Sequence, residues 1–196
     1  MSRIKRLAVF CGSNSGARPE YAAAARALGR LLSERGIGLV YGGSNVGLMA
    51  ALANEVLQNG GEIIGVIPRM LVQREVAHSG LADLRIVESM HERKALMAEL
   101  CDGFVALPGG IGTLEEFFEV WTWAQLGVHE KPCGLLNIAG YFDGLLSFIN
   151  RAVDEKFVRD VHREMLIVED DPVRLLERFE RYQPPRVTKW IKAEST

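Results

Sequence analysis

The strongest constraint in this sequence is an alternation that runs from one end to the other. Short apolar runs at Arg6–Cys11, Gly38–Tyr41, Glu62–Ile67, Leu84–Val87, Gly103–Leu107, Cys133–Asn137 and Leu166–Val168 read as strands. Between them lie stretches of helical pattern, among them PEYAAAARALGRLLSERG, GLMAALANEVLQNG, SMHERKALMAELC, GTLEEFFEVWTWAQLG and YFDGLLSFINRAVDEKF. Strands that alternate with helices in this way build parallel β-α-β units. The expected fold is therefore α/β: a doubly wound parallel sheet with helices on both faces. No repeat or linker divides the chain, so one domain is expected over residues 1–183, followed by a tail over 184–196. That tail is polar and basic apart from Trp190 and Ile191. Residues 68–83 break the rhythm and are expected to form an irregular crossover near one end of the sheet.

In a doubly wound sheet, ligands bind beyond the carboxyl ends of the strands. Three of the expected strands end in glycine-rich or small-residue turns, CGSNSGA, YGGSNVGLM and LPGGIGT, and each turn leads into a helix. The unpaired N–H groups of three helix N-termini would then face one crevice, an arrangement suited to an anion such as a phosphate. A single turn of this kind is a weak signal, because βα turns favour glycine in any case. Three at one end of the sheet point to binding, with Gly12 and Ser13 of the first turn and Gly43 of the second as candidate contacts. No GxxxxGK[ST] occurs, so the turns are not a P-loop. The second strand ends VYGGS and lacks the acidic residue that would hold the ribose of a dinucleotide.

Bulk composition narrows the partners. Among 196 residues, 23 Lys and Arg stand against 25 Asp and Glu, a formal net charge of -2. This balance gives no overall field to attract nucleic acid or an anionic membrane, so neither is expected as a partner. No apolar run approaches the roughly 18 residues needed to span a bilayer. The basic N-terminus is followed only by LAVF and Cys11, which reads as a first strand and not as a signal core. Cys11, Cys101 and Cys133 are odd in number and show no CxxC spacing. They fit reduced, buried thiols of a cytoplasmic protein. His78, His91, His129 and His162 form no HExxH pattern, so no protein-bound metal is expected.

Two stretches carry candidate chemistry. In SMHERKALM, Ser89 and Glu92 have capping-box spacing and place a helix start near Ser89. Arg93 and Lys94 then fall in or just past the first turn, where the helix dipole disfavours cations unless an anion lies nearby. In ALPGGIGTLEE, Thr113 and Glu116 have the same spacing, which predicts Thr113 as a cap and Glu116 as its partner. Capping leaves the surrounding Pro108-Gly109-Gly110-Ile111-Gly112 unexplained. Glycines there let the backbone approach a ligand closely and let consecutive N–H groups form an anion nest. Thr113 can add its hydroxyl, and Glu116, one turn inside the helix, would lie near a sugar instead of a phosphate. The helix from Thr113 is apolar nearly all round, which fits cover by the sheet on one side and by a second subunit on another, hence a homodimer.

Taken together, PGGIGTLEE at 108–116, MHERK at 90–94, YGGSNVGLM at 41–49 and CGSNSG at 11–16 resemble the LOG (Lonely Guy) family of cytokinin riboside 5'-monophosphate phosphoribohydrolases. The likeness extends from about residue 6 to about residue 170 and includes TWAQLG and KPCGLLNIAGYFDGLL. This resemblance implies a Rossmann-like fold, a dimer, and hydrolysis of the N-glycosidic bond of an adenosine 5'-monophosphate to free base and ribose 5-phosphate, with no cofactor. It also implies that Arg93 and Glu116 are the catalytic pair. By position, Gly109, Gly110, Ile111, Gly112, Thr113, Leu114, Glu115, Lys94, Glu75 and Thr122 look like the nucleotide-binding set. Family members are also labelled lysine decarboxylases, but no pyridoxal-phosphate scaffold is evident in so short an α/β chain. Two other readings remain open at this point. The chain could be a nucleotide or molybdenum-cofactor carrier on the same scaffold, or a nucleosidase working on plain AMP.

Overall fold

The computed structural model describes residues 4–72 and 77–185. Seven strands follow the expected rhythm: β1 (Arg6–Phe10), β2 (Gly38–Tyr41), β3 (Ile63–Pro68), β4 (Leu84–Val87), β5 (Gly103–Ala106), β6 (Cys133–Leu136) and β7 (Leu166–Glu169). They form one parallel sheet in the order β4-β3-β2-β1-β5-β6-β7. The chain thus builds outward from β1 in one direction, then returns to lay β5 against the other side of β1. The place where the order reverses lies between the ends of β1 and β5, where Phe10 pairs with Ala106. A crevice opens at such a switch point because the two following helices depart on opposite faces.

The helices are α1 (Pro19–Arg35), α2 (Gly47–Gln58), α3 (Arg69–Val72), α4 (Met90–Leu100), α5 (Ile111–Leu126), α6 (Asp143–Asp154), α7 (Asp160–Glu164) and α8 (Pro172–Glu180). Right-handed crossovers decide their faces. Units that step from β1 to β3 place α1 and α2 on one side, and α8 joins them through Leu175, Leu176 and Phe179. Units that step the other way place α4, α5 and α6 on the opposite side, where Met97, Phe117, Val120, Trp121 and Ile149 meet the sheet. Strands between two such layers must be apolar on both faces, and every residue of β2, β3, β5 and β6 is buried. Each large side chain fully buried there contributes about 1.5–3 kcal/mol.

The irregular segment after β3 carries α3 and then a short return. Ala77 bridges to Ser44, and the His78 N–H donates to the Gly43 carbonyl at 3.0 Å. Glu75 lies outside the described residues, as do Trp190 and Ile191 of the tail. Among the described residues, three helices (α3, α7 and α8) were not expected from the sequence. Of these α8 has the clearest local cause, since Asp171 caps it by accepting from the Arg174 N–H at 3.0 Å and Pro172 occupies its first turn. Among the described residues no helix is long and apolar enough to cross a membrane.

Candidate active site

The three small-residue turns do converge. Gly12 joins them, donating its N–H to the Pro108 carbonyl (3.0 Å) and accepting from the Leu48 N–H (3.0 Å). The approach is close enough that a side chain at Gly47, whose φ is 56°, would collide with the backbone of Ser13. Only glycine meets both demands there, the positive φ and the missing Cβ.

At the head of α5 the sequence expectation needs correcting. The helix begins at Ile111 with Gly110 as its N-cap, so Thr113 is inside the first turn and caps nothing. T-x-x-E spacing predicted a capping box, but the glycine pair lets the helix start earlier than the first side-chain cap. The first intrahelical bond runs from the Leu114 N–H to the Gly110 carbonyl at 3.2 Å. The N–H groups of Ile111, Gly112 and Thr113 therefore stand at the open end of the helix, where a dipole favours negative charge. A Cβ at Gly110 or Gly112 would meet nothing within 4 Å, so the chain's own packing does not require glycine there. Bare backbone beside open space is what a close-approaching ligand needs. Gly109 differs, since a Cβ there would strike the Thr113 hydroxyl.

On α4 the expectation holds. Ser89 caps the helix, its hydroxyl accepting from the Glu92 N–H at 3.1 Å, while the Glu92 carboxylate accepts from the Glu88 N–H at 2.9 Å. Arg93 and Lys94 are both buried one turn in, and the anions that offset the unfavourable dipole are carboxylates of α5. The Arg93 guanidinium lies 3.5 Å from Glu116, with the side chains 8% and 10% exposed. Lys94, 5% exposed, bridges Glu115 at 2.6 Å and Glu119 at 2.8 Å. Burial opposes the charge on Lys94, yet the two carboxylates outweigh it and hold its pKa above the usual lysine value.

A cavity of about 330 Å³ opens between these helices and the sheet ends. Arg93, Glu115, Glu116, Thr113, Gly110 and Ser13 line its polar side, and Met49, Leu71 and Met90 line its apolar side. A second lobe of about 290 Å³ shares Ser13 and Gly110 with the first and continues past Gly12, Gly109, Tyr21 and Tyr141. The waist between the lobes is thus the head of α5 facing the first turn. The Nε of Arg93, in the wall of the first lobe, is buried without a hydrogen-bond partner among the described residues. Unpaired buried donors are costly, and a bound ligand is one way to satisfy them.

Among residues expected at the site, Gly12, Ser13, Gly109, Gly110, Ile111, Gly112, Thr113, Glu115, Arg93 and Glu116 line the two lobes. Others do not. Lys94 is engaged by Glu115 and Glu119, and Leu114 packs into the core beneath α5. Gly43 anchors the return loop through His78. Thr122 is exposed on α5, its hydroxyl donating to the Phe118 carbonyl at 2.7 Å.

Sequence reasoning missed Gly42, which lines the cavity where Gly43 does not. A Cβ on Gly42 would strike the Arg93 guanidinium, so its bareness is what lets Arg93 reach Glu116. Period-two strand geometry was the available signal, because only one of two adjacent glycines at a strand end can face a given side. Cys11 was also missed as a cavity residue. Burial and the nearby Glu116 carboxylate push its thiol pKa far up, against a smaller opposing effect of Arg93, so it stays protonated.

Comparison with known proteins bears on what such a cavity does. The family model described as "Possible lysine decarboxylase" matches residues 49–179. A cytokinin riboside 5'-monophosphate phosphoribohydrolase of Arabidopsis thaliana is 49% identical over 183 residues, 93% of this chain and 84% of its own. The rice protein of that name, LOG of Oryza sativa subsp. japonica, is 49% identical over 183 residues, 93% of this chain and 76% of its own. Among solved structures, the molybdenum cofactor binding protein of Rippkaea orientalis superposes with a TM-score of 0.69 at 22% identity, covering 92% of this chain and 98% of its own. The molybdenum cofactor carrier protein of Chlamydomonas reinhardtii gives 0.69 at 18% identity, covering 91% and 98%. At such identities the structural likeness speaks for the fold alone.

Proposed function

Because this chain belongs to the LOG family of cytokinin riboside 5'-monophosphate phosphoribohydrolases, we propose that it hydrolyses the N-glycosidic bond of an adenosine 5'-monophosphate. The products are the free base and ribose 5-phosphate. The observation that carries this reading is the buried Arg93–Glu116 pair at 3.5 Å, set in a cavity beside the open head of α5.

The geometry suits the chemistry. The 5'-phosphate takes the waist of the cleft, held by the free N–H groups of Ile111, Gly112 and Thr113, with the hydroxyls of Thr113 and Ser13 at hand. Anchoring the phosphate places the ribose one turn further along α5, where Glu116 stands. Fixing the reacting carbon against a catalytic group in this way lowers the barrier by orientation. Departure of the base leaves C1' electron-poor, as in glycoside hydrolysis. The Glu116 carboxylate stabilises that charge and orients or deprotonates the attacking water. Arg93 donates hydrogen bonds to the departing base or to sugar hydroxyls; a guanidinium keeps its protons in proteins, which makes it an electrostatic partner and not a proton donor.

Met49, Leu71 and Met90 give the cavity an apolar wall, which supports a base carrying an apolar N6 substituent over plain adenine. The carrier reading is the weaker one, since holding a phosphate gives no reason to bury a carboxylate beside it. We place the enzyme in the cytoplasm, where its three buried free thiols stay reduced. A homodimer is supported by α5, whose Leu114, Phe118 and Trp123 are only partly covered by their own chain. Thr122 lies on the exposed side of this helix and can meet a nucleotide only if a second copy brings one to it.

The test is incubation of the purified protein with AMP and with N6-isopentenyl-AMP, measuring free base and ribose 5-phosphate. Release from the N6-substituted nucleotide at the higher kcat/KM is expected. Faster release from AMP would make the protein an AMP nucleosidase. Tight AMP binding without release would make it a carrier. Sedimentation of the protein at micromolar concentration decides the dimer.

A further inference from the structure

We propose that Tyr141 is the positioning residue of the phosphate cradle, acting through the Gly109 carbonyl. The inference rests on the nucleotide-hydrolase reading for the identity of the anion, though not for the geometry. Tyr141 was not among the expected site residues; it lies on the turn between β6 and α6, remote in sequence from the glycine-rich loop.

The turn that carries it is built with strain. Ala139 sits at φ 53° and ψ 31°, a left-handed conformation that a side chain disfavours by roughly 1–2 kcal/mol. Such strain persists only where surrounding contacts hold it in place. Here they do so from several directions. Asn137 accepts from the Phe142 N–H at 2.7 Å and donates to Asp143 at 2.7 Å, while Arg18 reaches the Ala139 carbonyl at 3.3 Å. What the strained turn delivers is one side chain. The Tyr141 hydroxyl donates to the Gly109 carbonyl at 2.6 Å, and its ring lies edge-on to Tyr21 at 5.6 Å and to Phe142 at 5.0 Å.

That hydrogen bond has a geometric consequence for the peptide it touches. No peptide bond among the described residues is cis. In a planar trans peptide the C=O and N–H groups point in opposite directions. With the Gly109 oxygen held toward Tyr141, the N–H of Gly110 is turned the other way. Gly110 is the N-cap of α5 and lines both lobes of the cleft. Glycine pairs have little rotational preference of their own, so an unheld Gly109–Gly110 peptide would sample many orientations. Tyr141 selects one, and its N–H then joins those of Ile111, Gly112 and Thr113 around a single anion.

A tyrosine that merely packed would be replaced by phenylalanine without consequence, because Tyr141→Phe keeps both ring contacts and loses only the hydrogen bond. Tyr141 is 43% exposed, so the variant is expected to fold. For Tyr141→Phe the KM for the nucleoside 5'-monophosphate should rise about three- to tenfold, the range a single net hydrogen bond supplies, with kcat within twofold. The inhibition constant of inorganic phosphate should rise by the same factor, and that of adenosine, which has no phosphate, should not move. Unchanged phosphate affinity overturns the inference. An equal loss for adenosine also overturns it, since that would report a general distortion of the cleft.

Calorimetric binding of AMP and inorganic phosphate to both proteins separates this inference from the function on which it rests. If the wild type releases no base but binds phosphate more tightly than Tyr141→Phe does, the cradle stands and the hydrolase reading falls. If the wild type hydrolyses nucleotides and both proteins bind phosphate alike, the hydrolase stands and the role of Tyr141 falls.

Discussion

The Arg93 guanidinium on α4 faces the Glu116 carboxylate on α5 at 3.5 Å, and nine-tenths of each side chain is hidden from solvent. Burying one charge without the other would cost several kcal/mol, so the two side chains are buried together. The pair opens onto the cavity, where under the proposed function both charges act on the nucleotide. Its structural and chemical roles can be separated experimentally.

Glu116→Gln removes the charge and keeps the shape. Base release should fall by about 10²–10⁴-fold, the usual worth of a positioned acid–base group. Circular dichroism and a cooperative thermal transition should show a folded protein. A folded variant with wild-type turnover would remove Glu116 from the mechanism.

Lys94 ties α4 to α5 from within the protein and does not line the cavity. Lys94→Met should lower stability by about 1–3 kcal/mol, less than a fully buried pair would lose because Glu115 is half exposed. Its KM for nucleotide should change less than its melting temperature suggests. Because the folded pKa of Lys94 is raised above the ordinary 10.5, its stabilising effect is complete below that pH and is lost as pH rises through the folded value. The stability gap between wild type and Lys94→Met, measured by urea titration, should therefore narrow above about pH 10.5. A constant gap from pH 7 to 12 would show that the ion pairs contribute nothing.

Gly42→Ala tests a missing side chain. Its Cβ would occupy the place of the Arg93 guanidinium, the mobile end of a long side chain. Stability should drop by only about 1–2 kcal/mol, whereas kcat/KM should fall about 10²-fold as Arg93 is displaced. Kinetics and melting measured on one preparation give both numbers. Retained activity would mean that Arg93 tolerates displacement.

Cys11 lines the cavity, yet burial holds its thiol protonated, and burial also pushes Cys101 up to about 11. Thiolate is the reactive form, so the native protein should resist iodoacetamide at pH 7.5 until it is unfolded. Cys11→Ala should keep kcat within about threefold if the thiol only fills space. Rapid stoichiometric alkylation of Cys11 in the folded protein, read by peptide mass spectrometry, would contradict this.

Local features of the structure were legible from consecutive residues. Each strand could be read from its own few side chains, and β2 and β4 fall on the boundaries expected. Ser89 was legible as a cap because capping depends on residues within four positions of one another. The same rule misled at Thr113, where the adjoining glycines start the helix at Ile111. Gly43 was expected at the site, whereas Gly42, one position earlier at the strand end, lines the cavity, and one position reverses the face. Helices α7 and α8 are short, and their patterns were too brief to separate from loop.

By itself the sequence determined an α/β chain of seven strands and three small-residue turns at their carboxyl ends, and it offered candidate residues for a phosphate and a sugar. Those properties follow from periodicity and backbone preference, which act between near neighbours. The order in which strands pair was left to the tertiary structure, because laying β5 against β1 satisfies long-range burial and not any local pattern. That choice brings Pro108 onto Gly12 and Glu116 onto Arg93, and the pairing of β6 with β5 brings Tyr141 onto Gly109.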